Sequence, residues 1–247
     1  MRPTVLHDLR AHPDPDVLGD FYSSVLVPSF SPEELSPESD LSHGLARLDG
    51  VQLHALVAVD TQTGRAIGGV VATLFARSQV LLVAYLAVRP DLRQGGLGRH
   101  LVDQARLRWA GLEAKLILAE VHDPRYHAST DPWAWSRVQL YDEMGARALA
   151  LPFVQPEVRR GAGRARHFLL LVFHAEPSVV TDVGAGSSVT ASVLEDFVLD
   201  YYADAEGPSR ADDGDLAWLV GRLRAGTAVP LLPLSRLDEV PRDPRSG

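Results

Sequence analysis

The chain has 247 residues, a formal charge of −8, 46% apolar side chains, no cysteine and a mean hydropathy near zero. That is enough chain for one sizeable domain, or one domain with an appendage. Without cysteine there is neither a disulfide framework nor a thiolate site, and the acidic balance argues against nucleic acid as a partner.

No run reaches membrane-spanning length and no apolar N-terminal stretch precedes a cleavage signal. A cytoplasmic protein with no membrane partner is therefore expected. Lys115 is the only lysine and asparagine is absent, so asparagine fills no ligand-binding position here.

In chain order, Asp14 is a cap-type residue, and Val17, Phe21 and Val25 share a helix face, which predicts a helix over 14–26. Ser31, Pro32, Glu33 and Glu34 predict a second helix start. Three strands follow as a meander over 51–59, 67–76 and 80–88. Leu97, Leu101, Ala105, Trp109 and Leu112 then make one buried stripe of a helix from about 98 to 110.

A short apolar strand is expected over 116–121, and a helix over 133–144 that stops at Gly145. Residues 146–154 and 166–173 read as a closing hairpin. Beyond Glu176 the composition shifts. Residues 179–188 read as a linker, 193–202 and 216–223 as short amphipathic helices, and 241–247 as disordered. This extension is too small for its own core, so it is expected to dock on the main domain or on a second subunit of a homodimer.

The most informative stretch is 80–101, an apolar strand running through a glycine-rich turn into a helix. The first-turn amides of a helix lack intrahelical acceptors and lie at the positive end of its dipole, so they suit phosphate oxygens. Arg93, Gln94 and Arg99 add donors around Gly95, Gly96, Leu97 and Gly98. On chemistry alone, this is a site for a phosphate-bearing ligand on an α/β scaffold.

Arg93-x-x-Gly96-x-Gly98, preceded by Leu86-Ala87-Val88, resembles the acetyl-CoA pyrophosphate loop of the GCN5-related N-acetyltransferases (GNAT). The later Leu140-Tyr141 and Gly145 are similar to the family segment in which a helix ends in glycine before the next strand. The resemblance covers residues 50–175, extends in outline to residue 1 and leaves out the C-terminal part. It implies an α/β GNAT fold with a mixed, mostly antiparallel central sheet flanked by helices. Residues 1–176 would then form the acetyltransferase domain, and 177–247 a linker and helical extension.

The resemblance also implies roles. Leu86, Ala87 and Val88 would pair with the pantetheine arm of acetyl-CoA, with a backbone donor near Leu86 facing the thioester oxygen. Tyr141 matches the family tyrosine beside the CoA sulfur, and a phenol with a reference pKa near ~10 suits proton donation to a thiolate. Glu120, in Ala119-Glu120-Val121, is similar to a strand glutamate that acts through water as a base. His122 lies on the same strand face and is a competing base. The alternative for Glu120 is a structural acid paired with Arg137 or Arg147.

Twenty-one positions separate Glu120 from Tyr141, more than is usual in the family. The additional residues include Tyr126, His127 and Trp133, which with Phe30 and Glu33 are candidate acceptor-binding residues. His122, Asp123 and His127 match no strong ligand spacing, so no metal is expected. The resulting expectation is an N-acetyltransferase that acetylates the primary amine of a small polar metabolite (amino sugar, amino acid or antibiotic-like compound) by direct attack. The alternatives are a protein or peptide acetyltransferase and a non-catalytic acyl-CoA-binding regulatory module.

Overall fold

The computed structural model describes residues 3–93, 95–183, 186–208 and 212–245, so Gln94 of the predicted turn lies outside the described residues. The chain forms two compact units. The first comprises Met1–Ala76, Leu81–Ala114 and Val158–Ala162, and the second comprises Arg77–Val80, Lys115–Glu157 and Gly163–Gly247.

In the first unit β1 (Thr4–Asp8) leads to α1 (Pro15–Phe21), α2 (Glu38–Ala46), β2 (Val51–Asp60), β3 (Ala66–Phe75), β4 (Val80–Val88) and α3 (Leu97–Trp109). The strands lie in the order β1-β2-β3-β4, with β1 and β3 antiparallel to β2. The sequence reading missed β1, whose five residues are too few to show a period. The predicted helix over 14–26 divides. Asp14 caps α1 by accepting from the amides of Asp16 and Val17, and a π-helical turn, Tyr22–Leu26, continues it. The predicted helix at Ser31 is only a turn, with Leu35 N–H donating to the Ser31 carbonyl. Pro37 lacks an N–H and disfavours helical geometry at Ser36, so α2 starts after it.

Two adjacent glycines in β3 explain how helices reach both faces of this sheet. A Cβ on Gly68 would lie 3.3 Å from the side chains of Leu97 and Leu101 of α3. A Cβ on Gly69, which points to the other face, would come within 2.6 Å of the fully buried Phe21 ring of α1. Both helices thus lie directly on the β3 backbone. The core beneath α1 gathers Leu9, Leu18, Val25, Val57, Val71 and Tyr85.

His54 of β2 is buried against the Trp109 ring of α3, 5.9 Å away, and its Nε2 has no hydrogen-bond partner among the described residues. Burial, with the Arg10 guanidinium adding to it, lowers its pKa to about 4. An unfolded-state imidazole near ~6.5 binds more protons than the folded one below that pH. Stability from this site is therefore complete above pH 6.5 and lost as pH falls toward 4, up to roughly 2–3 kcal/mol. Urea unfolding at pH 7.5 and pH 4.5 should show that loss, and His54→Phe should reduce it.

The second unit contains β5 (Leu116–His122), α4 (Pro124–His127), α5 (Ala134–Glu143), β6 (Arg147–Leu149), β7 (Phe153–Gln155) and β8 (Ala165–Ala175). It continues with β9 (Val180–Val183), β10 (Gly186–Thr190), α6 (Ala191–Glu206), α7 (Gly214–Arg224) and β11 (Ala228–Pro233). The strand order is β5-β8-β6-β11-β10-β9, with β7 also on β8, and every one of these pairings is antiparallel. Gly145, at φ +80, ends α5 in the left-handed region that glycine tolerates.

Two expectations for the C-terminal part are corrected. The predicted linker over 179–188 is the hairpin β9–β10, because Val179, Ser188 and Val189 are buried. Within β11, Pro230, which cannot donate to a ladder, offers its carbonyl to the Ala150 amide instead. The tail is ordered through residue 245, where Arg245 forks onto Asp243 and donates to Asp215, while Ser246 and Gly247 lie outside the described residues. The extension thus carries three strands as well as two helices. It packs within the second unit, where Leu194, Phe197, Val198, Leu219 and Leu223 are buried.

The chain is α/β, with open, mostly antiparallel strands flanked by helices. No helix among the described residues is long and apolar enough to cross a membrane.

Candidate active site

In the first unit, β4 delivers the chain into the glycine turn. Arg89 N–H bonds the Ile67 carbonyl of β3, and Arg93 folds back, its Nε donating to the Val88 carbonyl and a terminal nitrogen to Ser29 Oγ. Gly96 caps α3 at φ +77, a conformation that disfavours any side chain, and no atom lies within 4 Å of where its Cβ would be. A glycine cap brings no side-chain acceptor to the start of α3, where the first-turn amides have no intrahelical acceptor. Gly95, Gly96 and Arg99 are exposed. An exposed, glycine-capped helix start with an adjacent arginine fits a diphosphate.

Leu86 and Val88 are half-buried and Ala87 is buried. Immediately before them, the Tyr85 phenol accepts from the Ser36 amide and donates to the Glu34 carbonyl, at 3.0 and 3.1 Å. Phe30 packs edge-on against the Tyr85 ring, with centroids 5.0 Å apart. The half-buried Arg159 donates to the Leu35 carbonyl and to the Tyr22 hydroxyl, which itself donates to the Ser36 carbonyl. Phe30 is therefore brought against β4, whereas Glu33 is exposed on its turn. Tyr85, Tyr22 and Arg159 were not singled out from sequence. Tyr85 reads there as one more apolar strand position.

In the second unit, Glu120 and His122 share a face of β5, as predicted by their spacing of two. The Glu120 carboxylate is met by two neutral donors. Its Oε2 accepts from Gln155 Nε2 of β7 at 2.7 Å and from the Tyr201 hydroxyl of α6 at 3.0 Å. Arg137 is bound to Asp131, whose carboxyl it helps hold below the usual range against the opposing effect of burial.

Around His122 the predicted loop forms a stacked aromatic layer. His122 lies on His127 with centroids 4.1 Å apart, and Tyr126 lies on His167 at the same separation. His127 reaches His167 edge-on at 6.1 Å. His167 holds a left-handed φ of 62, rare for a non-glycine residue, and burial lowers its pKa. Asp123 caps α4, and Arg125 grips its carboxylate while donating to the carbonyls of Leu237 and Val240. Trp133 is half exposed beyond this layer. No cluster of three or more histidine, cysteine or acidic side chains placed to hold a metal occurs among the described residues.

Tyr141, on α5, is 7% exposed, and its ring packs perpendicular to Phe173 at 5.2 Å. Burial raises its pKa above the ordinary phenol value, so the hydroxyl stays protonated at neutral pH.

Residues 20–145 match the family model described as the acetyltransferase (GNAT) family. Among solved structures, the chain is similar to a protein from Bacteroides thetaiotaomicron described as an acetyltransferase of the GNAT family. The identity is 22% and the TM-score 0.51, over 70% of this chain and 87% of that one. A tandem GNAT protein from the clavulanic acid biosynthesis pathway is 20% identical with a TM-score of 0.50, over 62% of this chain and 46% of that one. No curated protein sequence matches significantly. At these identities the structural likeness speaks for the fold, while the family match spans about half of the chain and takes in the glycine turn, Glu120 and Tyr141. The chain belongs to the GNAT family of acetyltransferases, enzymes that move an acetyl group from acetyl-CoA to an amine.

Proposed function

We propose that this enzyme acetylates the primary amine of a small polar metabolite. The observation that carries this reading is the layer over Tyr85, where the segment around Phe30–Ser36 is fastened to the strand by the phenol and held by Arg159. Such a covering favours a compact polar acceptor over an extended peptide, which needs an open groove. Residues 1–176 form the acetyltransferase domain in this reading, and 177–247 are an extension integral to it.

The amides of Leu97, Gly98 and Arg99, with Gly95, Gly96 and Arg93, hold the diphosphate of acetyl-CoA. The backbone of Leu86, Ala87 and Val88 pairs with its pantetheine arm. When bound, acetyl-CoA supplies an activated acyl carbon and a thiolate leaving group. Glu120 or His122 takes the proton that the acceptor ammonium must lose before its nitrogen can attack. Tyr141 gives a proton to the departing sulfur as the carbon–nitrogen bond forms and the carbon–sulfur bond breaks. With no cysteine in the chain, direct attack by the amine is the simplest route.

Thiol release from acetyl-CoA, followed across amino acids, amino sugars and short peptides, tests the acceptor class. Saturable turnover of a small amine with formation of its N-acetyl product is expected. Turnover confined to peptides would overturn the reading.

A further inference from the structure

We infer that the C-terminal extension completes the catalytic strand, with Tyr201 acting as a positioning residue for Glu120. This rests on the reading of Glu120 as the base. Gln155 and Tyr201 both lie outside the family match at 20–145, so nothing in the family pattern requires either of them. Yet both direct their polar ends to one oxygen, Glu120 Oε2, at 2.7 and 3.0 Å.

The two donors come from different elements and are themselves fixed. Tyr201 is 7% exposed and stacks on the fully buried Phe197 one helical turn earlier. The adjacent Tyr202 anchors α6 by donating its hydroxyl to the Val154 carbonyl of β7 at 2.7 Å, one residue before Gln155. Gln155 is 7% exposed, a position where a side-chain amide needs a partner. Arg77 forks onto Asp196 and Asp200 of the same helix.

The facing strand β8 offers Glu120 apolar neighbours. On β8 its register partner is Leu170, and the same-face neighbours there are Phe168 and Val172. Titratable groups near it include His122 on its own strand and Tyr201 on α6. Two neutral donors on one carboxylate oxygen favour the ionised form and fix which way the carboxylate faces. Their geometric effect is to fix the orientation of the Glu120 carboxylate on β5.

The test uses Tyr201→Phe in the full chain, a change that keeps the ring and its stacking and removes only the donor. The midpoint of Glu120 is read by carbon-13 NMR of labelled glutamate carboxyls, with the signal assigned by its loss in Glu120→Gln. The acid limb of kcat/KM for thiol release is followed in parallel with glucosamine and lysine as amine probes. Tyr201→Phe should raise the Glu120 midpoint by about 0.5–1 pH unit and shift the acid limb by the same amount. It should also lower kcat about 3- to 10-fold with KM for acetyl-CoA unchanged. An unmoved Glu120 midpoint overturns the positioning role whatever the base is. A moved midpoint with an unmoved acid limb, or full activity in Glu120→Gln, overturns the reading of Glu120 as base, and the catalytic role of Tyr201 falls with it.

Discussion

Tyr141→Phe is expected to lower kcat by at least about 100-fold while leaving the affinity for acetyl-CoA unchanged, because one positioned proton donor contributes on that order. The substitution isolates the chemistry. The ring packs edge-on against Phe173 and is buried, so phenylalanine preserves the contact and removes only the oxygen. The phenol is held protonated at neutral pH by burial. Its loss should be felt most where the thiolate leaves, and least with acyl donors whose leaving group needs no proton. Equal kcat in Tyr141→Phe and wild type would remove Tyr141 from the mechanism.

Arg164→Met should cause the largest loss of stability away from the reacting groups. Arg164 immediately precedes β8 and forks onto Glu206 at the end of α6 and Asp213 at the start of α7, with contacts of 2.5 to 2.7 Å. Asp215 is shared with Arg166 and Arg245, and Asp243 ties the same two arginines to the tail. Removing the central guanidinium leaves several carboxylates facing one another in a partly buried space, at a cost of about 2–4 kcal/mol.

The paired Glu206, Asp213 and Asp243 carboxyls all lie below their ordinary pKa. Hydrogen bonding to Arg164 is the leading cause for Asp213, and the arginine contacts outweigh burial for the other two. For such groups the stabilisation is present above the unfolded carboxylate range near ~4 and is lost as pH falls through the folded values. Thermal melts should therefore show wild type losing stability below pH 4, and Arg164→Met less stable at pH 7 with a shallower acid slope. A melt unchanged at pH 7 would show that the cluster contributes nothing net.

Much of the acetyltransferase half is legible because its signals are local. The strand at 80–88, the turn at Gly96, the Leu97–Leu101–Ala105–Trp109 stripe and the stop at Gly145 each depend on a few consecutive residues. The turn at Ser31 was misread because its cap, proline and acids are all present, but Pro37 ends the helix before a second turn can form. Residues 179–188 were misread because Gly, Ser and Val satisfy either a linker or a hairpin, and only burial of Val179 and Val189 decides between them.

The partners of Glu120 were hidden for a different reason. Tyr201 is 81 positions away and sits on a helix whose apolar spacing explains it fully as core. Gln155 did offer a signal, as a lone amide closing an apolar run after Leu151. Arg159 and Tyr22 are 137 positions apart and meet only through tertiary structure.

The most direct test of the whole account is a thermal-shift titration with acetyl-CoA, set beside NAD and ATP. A ligand held only by the folded chain stabilises it by ~2.7 kcal/mol at a hundredfold excess over Kd, about 5–10 °C in Tm for a protein of this size. The account predicts that rise with acetyl-CoA, its absence with NAD and ATP, and its loss in Gly96→Val, where the left-handed cap cannot form. A cooperative melt that acetyl-CoA leaves unmoved would contradict the assignment of the glycine turn and, with it, the donor on which the proposed reaction depends.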